Sequence, residues 1–121
     1  MSYEHKSRVL KSEQLVGDIV IPTKRVDFVS RTALGVEVGT TGLQGSDAGH
    51  GCCTYFSIRD IDCHSAIVQC IDGNEYIDSP DSDGAVVIFA GDSELLAFLD
   101  ALKFAVEVLE MQIRKRKRED A

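Results

Sequence analysis

Between Gly39 and Gly51 the chain reads Gly-Thr-Thr-Gly-Leu-Gln-Gly-Ser-Asp-Ala-Gly-His-Gly, five of its ten glycines in thirteen residues. Glycine is the costliest residue to order and the one that enters positive φ freely. Five so close together imply an unusual backbone path, close approach to another group, or flexibility. The hydroxyls of Thr40, Thr41 and Ser46 and the imidazole of His50 add side-chain donors to a row of unobstructed N–H groups. Such a row can wrap a phosphate. A long structural hairpin loop also reads this way. The mixture of glycines, hydroxyls, Asp47 and His50 exceeds what a turn requires, and favours a small anionic ligand.

Other constellations fit known chemistry less well. His50, Cys52, Cys53, Cys63 and His64 are metal-ligating types, but structural zinc sites bring cysteines in pairs two to four residues apart. Cys52 and Cys53 are adjacent and project to opposite faces of a strand, so buried small thiols are the expected reading. A thiol nucleophile at Cys52 or Cys53 with His50 or His64 lacks anything to orient the histidine or lower the thiol pKa. Asp78, Asp81 and Asp83 resemble a calcium loop, but Pro80 and Gly84 are misplaced for one. No Gly-Lys-Ser/Thr follows the glycine loop, and Gly49-His-Gly51 lacks the third glycine of a dinucleotide fingerprint. No metal and no cofactor are expected, and no catalytic residues.

The elements that must hold the loop come next. Leu15–Ile21, ending at Pro22, and Arg25–Val29 read as strands, followed by Leu34–Val38. Thr54–Arg59 alternates, with Thr54, Phe56 and Ile58 on one face. Ala66–Ile71 runs into Asp72-Gly73-Asn74, a hairpin turn, and Glu75–Ile77 returns antiparallel. After a second turn at residues 79–84, Ala85–Phe89 reads as a buried strand. The glycine loop thus joins strand to strand, and no helix N-terminus is expected behind it. The fold class is α+β: an antiparallel sheet of five to six strands over about residues 8–90, then one long C-terminal helix over about 92–118, in a single domain.

Asp92 or Ser93 is expected to cap that helix, with Glu94 complementing its dipole. Leu95, Leu99, Leu102, Val106, Leu109 and Ile113 recur on one face, joined by Phe98 and Ala105, while Leu96, Phe104 and Met111 lie off it. Lys103/Glu107 and Glu110/Arg114 are i,i+4 pairs. From Ser93 to Arg118 the helix spans about 39 Å, against a radius of gyration of about 14 Å for a globule of this length. A helix so long and so apolar is expected to pack against a copy of itself.

The net charge is −7, yet Arg114-Lys-Arg-Lys-Arg118 holds five of the thirteen basic residues. Residues 1–113 carry 8 basic and 18 acidic side chains, a net −10, which repels duplex nucleic acid. Five cations exceed what a helix dipole needs. In an oligomer the helix of one subunit can deliver these arginines to the glycine loop of another. Neither an apolar run of membrane-spanning length nor a signal peptide is read, so a cytoplasmic protein with reduced thiols is expected.

The order Val38-Gly-Thr-Thr-Gly-x-x-Gly-Ser-Asp-Ala-Gly-His-Gly, then Thr54-Tyr-Phe-Ser-Ile, then Phe89-Ala-Gly-Asp-Ser-Glu-Leu95 opening a long helix, resembles the Thoeris anti-defence sponge family of phage and prophage proteins. The resemblance spans residues 35–118, with Cys53 where a basic residue is expected. It implies an antiparallel sheet with C-terminal helices, assembled as a homodimer or homohexamer. It also implies sequestration, without cleavage, of a cyclic nucleotide immune signal in the infected host: glycocyclic ADP-ribose, a cyclic oligonucleotide, or both. Carried onto this chain, the ligand-binding residues are Gly45, Ser46, Asp47, Gly49, His50, Gly51 and Thr54 around phosphates, Phe89 against adenine, and Arg114 and Arg116 from the helix.

Three classes of function therefore stand: a nucleotide-signal sponge; an enzyme on such a ligand with His50 as acid or base; and a protein-binding inhibitor or structural phage subunit whose glycine loop grips a partner.

Overall fold

The structure, a computed structural model, describes residues 9–28, 33–45, 51–62, 69–78 and 83–120. Its first two strands are β1 (Leu10–Val16) and β2 (Ile19–Phe28), antiparallel with Val16 opposite Ile19. The connection is the two residues Gly17-Asp18, with Gly17 at φ +59°, the positive φ that two-residue hairpins demand. This corrects the reading of strands at 15–21 and 25–29. Pro22 does not end a strand but lies inside β2, opposite Glu13, and precedes the first β2–β3 pair, Thr23 with Gly39.

β3 (Ala33–Thr40) and β4 (Cys53–Asp62) follow, flanking the glycine loop as expected. β5 (Gln69–Asp72) and β6 (Glu75–Asp78) turn through Gly73-Asn74, with Gly73 at φ +64°. They form a separate two-stranded ribbon rather than extending the main sheet. β7 (Gly84–Ala90) closes a five-stranded sheet of order β1-β2-β3-β4-β7. It runs antiparallel to β4, with Asp60 N–H donating to Asp83 C=O. The expected buried strand is an edge strand, and Val86, Val87 and Ile88 are exposed. A hydrophobic run shows only that a strand is apolar, not which side of it is covered.

Register sorts the sheet into two faces. Thr23, Arg25 and Asp27 of β2 share one with Gly39, Glu37 and Gly35 of β3 and Tyr55, Ser57 and Arg59 of β4. Val26, Val36, Val38, Phe56 and Ile58 share the other, where Val38 and Ile58 are exposed. Thr54, Phe56 and Ile58 do share a face, as their alternation predicts. Ile21 and Thr54 are fully buried.

The chain divides into two compact units. Residues 1–42 and 53–89 form the first. Residues 43–52 and 90–121 form the second, which holds the greater part of the glycine loop and the helix α1 (Asp92–Asp120). The fold is α+β, an antiparallel five-stranded sheet followed by one long helix. Among the described residues no helix is long and apolar enough to cross a membrane.

Candidate functional site

In the second unit, Gly91 and Asp92 organise the stem of the glycine loop. The first intrahelical hydrogen bond runs from Leu95 N–H to Gly91 C=O, which makes Gly91, at φ +141°, the capping position. Asp92 is then the first helical residue, not the cap expected for it. Its carboxylate turns away from its own helix and accepts the N–H of Gln44 at 3.0 and 3.1 Å, of Gly45 at 2.6 Å and of Cys52 at 3.1 Å. Both limbs of the loop are held by one side chain. Gly91 N–H donates to Cys52 C=O at 2.7 Å, and the buried Cys52 thiol donates to Gly91 C=O at 3.3 Å.

Five factors act on the Asp92 carboxyl. The N–H of Gln44 favours its charged form most, partial burial opposes it, and the N–H groups of Gly45 and Cys52 and the Cys52 thiol reinforce it. The net result is a pKa lowered to about 2. The carboxylate also lies at the positive end of the helix dipole. The loop joins strand to strand, as expected, but the reading that no helix N-terminus waits behind it is corrected. The first turn of α1 sits at its stem.

The hydroxyls of Thr40 and Thr41 lock the strand ends of the first unit. Thr41 N–H donates to Cys53 C=O at 3.0 Å, and Cys53 N–H donates to Thr41 Oγ1 at 2.9 Å. Thr40 Oγ1 lies 2.9 Å from Thr54 Oγ1 and accepts Gly42 N–H at 3.2 Å. These threonines extend the β3–β4 ladder instead of lying in the loop as donors to an anion.

Of the residues expected to bind ligand, Ser46, Asp47, Gly49 and His50 lie outside the described residues. Gly45, at φ +85°, is engaged by Asp92, and Gly51 is half-buried. Thr54 is buried with its hydroxyl against Thr40, and Phe89 is half-buried on the edge strand. Arg114 and Arg116 are exposed on α1, about 33 and 36 Å along the helix axis from Asp92 at 1.5 Å per residue. One chain therefore does not bring its own arginines to its own loop stem.

Cys52 and Cys53 are buried free thiols, while His50, Cys63 and His64 lie outside the described residues. Among the described residues no three His, Cys, Asp or Glu are grouped to hold a metal.

Sequence reasoning missed Glu37. It is 9% exposed in mid-sheet, and its Oε2 accepts Thr23 Oγ1 at 2.7 Å and Gln14 Nε2 at 2.9 Å. Arg25, Gly35, Ser57 and Arg59 line a small hollow beside it, and Arg25 Nε pairs with Asp27 at 3.3 Å. The signal was the glutamate alternating with Val36 and Val38, which places it on the face opposite the valines.

The chain matches no protein-family model, no curated protein and no solved structure.

Proposed function

We propose that this chain is a binding protein that sequesters a small cyclic nucleotide immune signal without cleaving it. It acts as a homo-oligomer in the cytoplasm of a phage-infected host. The observation that carries the reading is the Asp92 clasp. One carboxylate fixes Gln44 and Gly45 on one limb and Cys52 on the other, so the segment between them spans a closed neck. Closing the neck lowers the ordering cost of binding. The Asp92 carboxylate takes the positive end of the 29-residue helix, so the charge that meets an anionic ligand comes from the basic run of a second copy. Sequestration needs orientation and charge, which this reading assigns to the loop and the basic run, and asks no residue to act as nucleophile or base.

A second reading draws on the apolar side chains exposed along α1, including Leu99, Val106, Leu109 and Ile113. In that reading the chain is a protein-binding inhibitor or structural phage subunit.

Incubating the protein with glycocyclic ADP-ribose, cyclic dinucleotides and cyclic trinucleotides, then heating it, separates the possibilities. The expected result is depletion of a ligand from solution followed by its intact recovery. Recovery of a converted product would establish an enzyme, and no depletion would leave the protein-binding reading.

A further inference from the structure

Leu95, Leu99, Leu102, Val106, Leu109 and Ile113 follow one another at intervals of 4, 3, 4, 3 and 4 residues, the alternation of a coiled-coil seam. Leu95 is buried, but the next five are 41, 36, 52, 60 and 54% exposed. Leu102, Lys103, Val106, Glu107, Glu110 and Arg114 line a shallow open groove along the same side. A seam with this repeat is complementary to another helix that carries it, and a second copy of the chain supplies one.

Charge decides the direction. Residues 92–107 of α1 hold four acids and one base; residues 108–118 hold one acid and five bases. Parallel pairing sets like against like, and antiparallel pairing sets each half against its opposite. We propose that α1 pairs antiparallel with α1 of a second copy, Leu99 facing the partner's Leu109 and Leu102 facing the partner's Val106. The twofold axis repeats both layers, and Ile113 lies level with the partner's Leu95.

The flanks can be placed from the same register. With Leu102 and Leu109 at d, Lys103 and Glu110 both fall at e. Antiparallel helices bring e beside e, and here Lys103 lies about 3 Å along the axis from the partner's Lys103 and about 7.5 Å from the partner's Glu110, so the direction rests on the opposed charge of the two halves and not on a level ion pair. The g positions, Phe98, Ala105 and Gln112, carry no charge, so a parallel pair, which joins g to e, gains no ion pair there.

The register also has a consequence for the loop. The partner's Arg116 lies level with Asp92, and the partner's Arg114 with Glu94. Each copy brings its basic run to the glycine-loop stem of the other, a place its own arginines do not reach. The pairing stands whether or not the loop binds a nucleotide.

The test is oxidative cross-linking of full-length Leu99→Cys/Leu109→Cys protein, with the linked peptides mapped by mass spectrometry. The two positions of one helix lie about 15 Å apart along its axis, too far for a disulfide, so any bond between them joins two copies. The expected product links position 99 to position 109 in a species of twice 13.2 kDa. Links of 99 to 99 and 109 to 109 would overturn the antiparallel direction. Light scattering of the unmodified protein is expected to give an even multiple of 13.2 kDa. A monomer at micromolar concentration would overturn the pairing. Val106→Asp is expected to give a monomer with its sheet circular dichroism intact; an unchanged oligomer mass would remove α1 from the interface.

Discussion

The Asp92 carboxylate accepts the Gly45 N–H at 2.6 Å across 47 residues of sequence, tying the start of the helix to the stem of the glycine loop. Two more N–H groups converge on the same side chain, from Gln44 and Cys52. Asparagine offers one neutral acceptor oxygen where aspartate offers two charged ones. Asp92→Asn should therefore accelerate amide exchange at Gln44, Gly45 and Cys52 and leave exchange in β2 unchanged. Unchanged protection at those three amides would refute the clasp.

The same carboxyl sets a pH dependence. Its pKa falls from 3.8 to about 2 on folding, so the unfolded chain binds a proton first as pH drops. The stabilisation is complete above the unfolded pKa and is lost as pH falls from about 4 towards 2. The stability difference between unmodified and Asp92→Asn protein should be constant above about pH 5 and shrink towards zero by about pH 2. Urea titrations across that range measure it, and a gap that widened on acidification would contradict the sign.

The buried pair Thr23 and Glu37 is worth a separate measurement. Thr23→Val leaves a carboxylate that is 9% exposed with one fewer donor, which should cost about 1.5–3 kcal/mol, the range for hydrogen bonds to charged groups. Combining it with Glu37→Gln should cost less than the sum of the two single changes, since both act on one contact. Additive urea midpoints would show that the hydrogen bond contributes nothing.

Much of this fold was legible in the sequence, and the gaps have physical causes. The hairpin at Gly73-Asn74 and the strands on either side of the glycine loop follow from turn chemistry and alternation. The helix start at Asp92 follows from the Gly91-Asp92 break. The Gly17-Asp18 hairpin was hidden because apolar residues on both sides make Leu15–Ile21 look continuous. β7 looked buried because Val86, Val87 and Ile88 are apolar, while its edge position depends on strand order. Of the candidate site, the loop's location was readable, but Asp92 as its clasp was not. Its partners lie 40 to 48 residues away, and a short acidic residue before a helix reads locally as a cap.

Two glycines should respond differently to alanine. At Gly39 a Cβ would overlap the Pro22 carbonyl oxygen on β2, so Gly39→Ala must push two central strands apart and should abolish or severely weaken folding. Gly73 has open space around it but φ +64°, so Gly73→Ala should cost only about 1–2 kcal/mol, the usual left-handed penalty. Thermal melts of the two variants separate steric overlap from backbone strain. Equal losses would remove the close β2–β3 approach as the reason for glycine at position 39.

Ligand binding and assembly should be coupled in a specific order. If the partner's Arg116 serves the loop, Arg116→Ala should weaken binding of a cyclic nucleotide or glycocyclic ADP-ribose by about 1.5–3 kcal/mol, the range for a charged hydrogen bond. That is roughly a tenfold to 150-fold loss, with the mass of the assembly unchanged. Gly49→Val, which adds bulk where backbone must approach the phosphates, should abolish binding, again without changing the mass. Val106→Asp should abolish both assembly and binding, because a separated copy no longer receives its partner's arginine. Calorimetry with light scattering on the same samples distinguishes these patterns. Full-strength binding by monomeric Val106→Asp protein would place the whole site within one chain. No heat from the unmodified protein with any of these ligands would end the sequestration reading, and the exposed seam of α1 would then be explored as a surface for a different protein.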